Sequence, residues 1–224
     1  MSSQSLSQVS TTHNRQVSMK ELALKAVAEL SKRHNPEFVI LYGSIPRGDC
    51  NNASDIDVAC FCDIPDAIND TQEFEGRRLD SWLYSTSDVD SERDEFLRFV
   101  GGQVFHDRNG SGQRFLDEIE KRYKAGPAPL AKEAIHHMEE WSKNMLERSK
   151  GNDIEARFRR TWLPCELLEI YFQLRNMWYQ GSKQSFKWLS AHDPAAYSAF
   201  NECFNEPTSI AKLETLVKIA LRKP

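Results

Sequence analysis

The feature that most constrains this 224-residue chain is a short apolar run, abruptly ended, followed by a strand-like stretch with carboxylates at alternate positions. Phe38-Val-Ile-Leu-Tyr42 is short, β-branched and aromatic, and it stops at Gly43-Ser44, so it reads as a buried strand. From Ser54 to Phe61, Ile56, Val58 and Cys60 alternate with Asp55, Asp57 and Ala59. Successive side chains of a strand point to opposite faces, which puts Asp55 and Asp57 on one face. A third strand fits Arg77–Tyr84, where Leu79, Ser81 and Leu83 face away from Asp80, Trp82 and Tyr84.

That pattern has chemical consequences. Facing carboxylates repel unless a cation joins them, and Mg²⁺, with its preference for oxygen ligands, is the natural partner. Gly43 lets a ligand approach the backbone closely. Its amide, with the amide and hydroxyl of Ser44, suits an anion at a helix start. A phosphate cradle beside Asp55, Asp57 and Asp80 is what phosphoryl or nucleotidyl transfer from a nucleoside triphosphate requires.

Gly43-Ser44, ten residues, then Asp55-Ile56-Asp57-Val58 resembles the signature of the DNA polymerase β-type nucleotidyltransferase superfamily. The Arg47-Gly48 and Ser54-Asp55 flanks resemble its small bacterial members, among them the aminoglycoside nucleotidyltransferases. The resemblance covers roughly residues 20–110 and extends more loosely to the helical rear. It implies that Gly43 and Ser44 hold the triphosphate, that Arg47 assists, and that Asp55 and Asp57 ligate Mg²⁺. Asp80 would complete a second metal site or act as base on an acceptor hydroxyl. The implied reaction moves a nucleoside monophosphate, AMP from ATP, onto a small hydroxylated acceptor and releases pyrophosphate. Dimerisation is a further implication of the resemblance.

The rest of the chain sorts into segments by periodicity and turn residues. Residues 1–17, rich in Ser, Gln and Thr, read as a disordered tail. Ser18 and Glu21 form a capping box for a helix that carries Leu22, Ala23, Ala26, Val27 and Leu30 and ends near His34. Residues 63–74 read as an acidic loop, and Phe96, Leu97 and Val100 as a short helix before a strand at Gln103–His106. Helical periodicity covers Leu130–Lys150 and Asp153–Gln180, with Pro164 either kinking the second stretch or starting a new helix. Shorter helices follow at Lys183–His192, Ala195–Asn205 and Ser209–Leu221. The expected fold is therefore α+β: a nucleotidyltransferase-type α/β domain over 18–126 with a small mixed sheet, then an all-helical substrate-side domain over 127–224.

In the helical half, Glu166, Glu169, Tyr171, Arg175, Trp178, Tyr179 and Lys183 lie on or just after one helix. They read either as core and solvated face or as a surface for a cationic, hydroxyl-rich acceptor, with Lys183 or Arg175 meeting the triphosphate. Lys183 is the nucleotide-binding candidate taken from this half. Arg157-Phe-Arg159-Arg160 is a basic run of the kind usually solvated.

Charge and composition narrow the classes. Residues 1–112 carry 11 Lys/Arg against 18 Asp/Glu, and residues 113–224 carry 18 against 15. The net charge of −4 disfavours a nucleic-acid-binding face. No run approaches the roughly 18 apolar residues of a membrane helix. Five cysteines without C-x-x-C spacing read as reduced thiols of a cytoplasmic protein. The rival reading is an antitoxin-type or regulatory protein on the same fold that binds or nucleotidylates a partner protein.

Overall fold

The computed structural model describes residues 18–90 and 92–222, so the expected tail at 1–17 lies outside the described residues. The chain divides into two compact units, one ending at Glu120 and the other beginning at Lys121.

The first unit opens with helix α1 (Met19–His34), started by the capping box of Ser18 and Glu21 and closed by Asn35 in a left-handed conformation. Strand β1 (Phe38–Tyr42) is buried throughout and leads into a single helical turn, α2 (Ser44–Arg47). Strands β2 (Ile56–Cys62), β3 (Ile68–Asn69), β4 (Gln72–Phe74), β5 (Arg77–Ser85) and β6 (Gln103–Phe105) complete a mixed sheet of order β3-β5-β2-β1-β6. Strand β4 also pairs with β5. The central pair, β2 and β5, is parallel, and the other pairings are antiparallel.

Side-chain alternation gives the sheet two different faces. Val39, Leu41, Ile56, Val58, Cys60, Leu79 and Leu83 form a core with the apolar stripe of α1, Leu22 to Leu30. The opposite face carries aromatic residues: Phe38, Phe61 and Tyr84 meet Phe96 and Phe99 from a 3₁₀ segment (Asp94–Phe99), and Phe115 from α3 (Ser111–Ala125). Offset and edge-to-face ring pairs of this kind add to the stabilisation from burial. Asp57 and Asp80 lie on this same face, one turn of the alternation from Ala59 and Trp82.

The acidic segment 63–74, expected as a loop, contains β3 and β4, both paired with β5. Its strands are two and three residues long, too short to show a period. Helix α3, for which the sequence reading named no element, is capped by Asp107, whose carboxylate accepts from the Gly112 and Gln113 amides. The expected 103–106 strand ends at Phe105.

The second unit contains α4 (Lys132–Ser149), α5 (Ile154–Gln173), α6 (Gly181–His192), α7 (Pro194–Asn205) and α8 (Ile210–Leu221). Leu163, Leu167, Leu168, Tyr171, Phe200, Leu213 and Leu216 form its core. Pro164 does not start a new helix; it is buried inside one continuous helix, which forgoes one backbone hydrogen bond there. The expected helix to Gln180 stops seven residues early. Asn176 takes a left-handed conformation (φ 51°), and the Met177 and Asn176 amides donate back to the Phe172 and Gln173 carbonyls. This is a Schellman-type closure with Asn in the place Gly usually fills. Among the described residues, no helix is long and apolar enough to cross a membrane.

Candidate active site

The site is built from the end of β1, the turn after it, and the starts of β2 and β5. In the parallel register Asp57 stands opposite Asp80, and in the antiparallel register Tyr42 stands opposite Asp57. Partners in adjacent strands project to the same side of a sheet, so the two carboxylates share a face. Asp55 falls one residue before β2, whose first residue is Ile56 rather than the expected Ser54.

Gly43 lies directly over Asp57. A Cβ built at Gly43 would come within 2.8 Å of Asp57 Cγ and would collide with Oδ2. Its backbone (φ 78°, ψ −148°) is also one that L-residues rarely adopt. Ser44 opens α2, whose first amides cannot be satisfied inside so short a helix. Arg47 closes α2, with Nε 3.8 Å from Asp49 Oδ1.

Burial, followed by the charges of Asp80 and Asp55, pushes the Asp57 carboxyl up to about 6, against the pull of Arg47 and Arg98. Asp80 is oriented by the short strands: Thr71 Oγ1 donates to its Oδ1 at 2.9 Å, and Asn69 Nδ2 donates to the same oxygen at 3.5 Å. Asp55 makes an exposed ion pair with Arg78, Nε to Oδ2 3.7 Å.

Asp57 and Asp80 therefore share a face, with Asp55 just before β2, and the three do not form a ready-made cage. Among the described residues, no three His, Cys, Asp or Glu side chains are gathered closely enough to hold one metal ion. The donor set still fits a hard divalent cation. All the donors are carboxylate oxygens, and burial, then the neighbouring Asp80 and Asp55, holds Asp57 well above the usual carboxylate range.

Two contributors were missed by the sequence reading. Arg98, on the 3₁₀ segment, donates to the Tyr84 hydroxyl and lies over the rings of Tyr42, Trp82, Tyr84 and Phe99 at 5.5–5.9 Å. Nothing in its local sequence separates it from a surface arginine. Thr71 sits in the segment taken for a loop.

In the helical unit, Lys183 is on the first turn of α6 and exposed. Arg175 is structural: its guanidinium donates to the carbonyls of Tyr171, Ala220, Ile219 and Arg222, tying the end of α8 to α5. Tyr171 is core, and its hydroxyl donates to Asp193 at 2.7 Å. The basic run is also locally engaged, Arg157 and Arg160 with the carbonyls of residues 149–152 and Arg159 with Glu155.

Residues 25–90 match the family model described as Polymerase beta, Nucleotidyltransferase. The matched segment holds Gly43, Ser44, Arg47, Asp55, Asp57 and Asp80, so a nucleotidyltransferase-type domain of the DNA polymerase β superfamily occupies this part of the chain. Among solved structures, a nucleotidyltransferase-like protein from Exiguobacterium sibiricum 255-15 is similar at 12% identity, over 90% of this chain and 75% of that one, with a TM-score of 0.40. No curated protein matches.

Proposed function

We propose, from the nucleotidyltransferase-type domain over residues 25–90, that the protein moves a nucleoside monophosphate from a triphosphate to a hydroxyl of a small molecule. ATP is the proposed donor, pyrophosphate the leaving product and Mg²⁺ the cofactor, with an aminoglycoside-like acceptor as the family analogy. The observation that supports this most is the parallel register setting Asp57 beside Asp80, under a glycine that leaves the carboxylate uncovered.

Asp57, Asp55 and Asp80 would hold the cation. When bound there, Mg²⁺ supplies charge neutralisation for the triphosphate and for the charge that builds up during transfer. The chain's own groups do the rest. The Gly43-Ser44 turn offers backbone amides to phosphate oxygens without a side chain in the way. Arg47 and Arg98 both act electrostatically on Asp57 and supply positive charge at that face. Both hydrogen bonds to Asp80 fall on Oδ1, which leaves Oδ2 to take the acceptor's proton. The acceptor oxygen then forms its bond to the α-phosphorus as the bond to pyrophosphate breaks in line.

A cytoplasmic location fits the five cysteines, all free thiols. A homodimer is part of the proposal on the family analogy alone.

The test uses ATP labelled at the α-phosphate, with Mg²⁺ and a panel of hydroxylated acceptors. Acceptor-dependent label transfer with stoichiometric pyrophosphate, lost in Asp57→Asn, supports the reading. Label on a co-purified polypeptide would favour the partner-protein alternative. No label and no Mg²⁺-dependent ATP binding by calorimetry would reject transfer altogether.

A further inference from the structure

The helical unit contains a cavity of about 530 Å³ that none of the proposed chemistry uses. It is bounded by Tyr123 and Lys124 at the end of α3, by the turn that follows α5, and by one side of α6. Its volume falls in the range that takes drug-sized ligands.

Three observations define what would fit. First, the walls are aromatic. Trp188 receives the edge of Phe172 (5.5 Å between centroids) and stacks on His192 (4.7 Å, 13°), and Trp178 carries the Arg122 guanidinium over its ring at 5.2 Å. Second, the ionisable lining is cationic or neutral. Lys124, Lys187 and His192 line the cavity, and no Asp or Glu does. Third, two lining residues hold hydrogen-bonding groups with no partner: the hydroxyl of Ser185, which is 2% exposed, and the indole N–H of Trp178. A buried polar group left unpaired costs about 1–3 kcal/mol, which an acceptor brought by a ligand would recover.

We infer that this cavity binds a planar aromatic molecule carrying an anionic group, a carboxylate or a phosphate. Aromatic walls select a ring, Lys124 selects negative charge, and the unpaired donors select an acceptor atom. A polycation is disfavoured in this cavity, because Lys124 lines it and no carboxylate does. The inference does not depend on the transfer reaction. An aromatic acid and a nucleotide are two sources of the same chemistry, and one experiment separates them.

The full chain is titrated calorimetrically with 1-naphthaleneacetate, its neutral amide, 1-naphthylmethylamine as the cation, and AMP. The acetate is expected to bind about tenfold or more tightly than the amide, with no binding of the cation. Lys124→Glu, a change at an exposed position, should abolish that preference, and Ser185→Ala should weaken the acetate severalfold. If AMP also occupies the cavity, it competes with the acetate and its binding survives Asp57→Asn. Equal binding of all three naphthalenes, or acetate binding unchanged in both cavity variants, overturns the inference. So does AMP binding that is lost only in Asp57→Asn with no acetate binding, which would place the nucleotide at the aspartates and leave that separate proposal standing.

Discussion

The α-carbon of Gly43 lies so close over the carboxylate of Asp57 that any Cβ there would overlap it. One residue opens the turn after β1 and the other is the second residue of β2, and each limits what the other can be. Gly43→Ala must strain the φ 78° backbone and push the Asp57 carboxylate aside. A loss of about 1–3 kcal/mol in urea denaturation is expected from the backbone strain. Mg²⁺-dependent ATP binding should weaken at least about tenfold in calorimetry. A variant with wild-type stability and binding would remove Gly43 from the site.

Asp57 sets a pH dependence. Its carboxyl is raised to about 6 in the folded protein, chiefly by burial and then by Asp80 and Asp55. Folding therefore favours the protonated form. That contribution is complete below about pH 4, the unfolded value, and is lost as pH rises through about 6. Asp57→Asn should match wild type near pH 4 and exceed it by on the order of 1–3 kcal/mol near pH 8. Urea midpoints across that range check the sign, and Mg²⁺ should narrow the gap by stabilising only the wild type.

Arg98 opposes that shift. Replacing it with Gln removes a cation that lowers the Asp57 value, so the pH window in which stability is lost should move upward. The same denaturation series reads the change. An unmoved window would mean that the Arg98 charge is screened from Asp57.

Thr71 holds Asp80 by one hydroxyl bond. Thr71→Val keeps the shape and removes the donor, at a stability cost of about 1 kcal/mol. Turnover should fall severalfold with KM little changed, because orientation of Asp80 is lost while the nucleotide-binding groups stay. Equal effects on kcat and KM would argue for a general structural role.

Arg175 ties helices rather than binding phosphate. Arg175→Gln should cost about 2–3 kcal/mol in thermal or urea unfolding, as expected for hydrogen bonds from a charged group. ATP affinity at the aspartates should be unchanged in the folded variant. A specific loss of ATP affinity would return Arg175 to the nucleotide-binding candidates.

Sequence order alone was enough for the front of the site, because its information is local. A five-residue apolar strand, Gly43-Ser44 and the alternation around Asp57 specify a turn and a face through steric rules that act over two to four residues, although Asp55 falls just outside the strand. The same holds for the Ser18–Glu21 capping box, where the signal and the bonds that satisfy it lie three residues apart. Periodicity also located the helices of the second unit, to within a few residues at most ends.

The tertiary structure decided what depends on partners distant in sequence. Strands of two and three residues exist only because β5 supplies their hydrogen bonds, so Thr71 and Asn69 could not be placed beside Asp80 beforehand. Arg98 is brought to the aspartate face by aromatic packing across segments 14 to 56 residues apart. The end of α5 was set by Asn176 adopting a left-handed conformation that Asn tolerates but does not announce. Local sterics and hydrogen bonding can be read along the chain. Which side chains share a space is settled only when the whole chain packs.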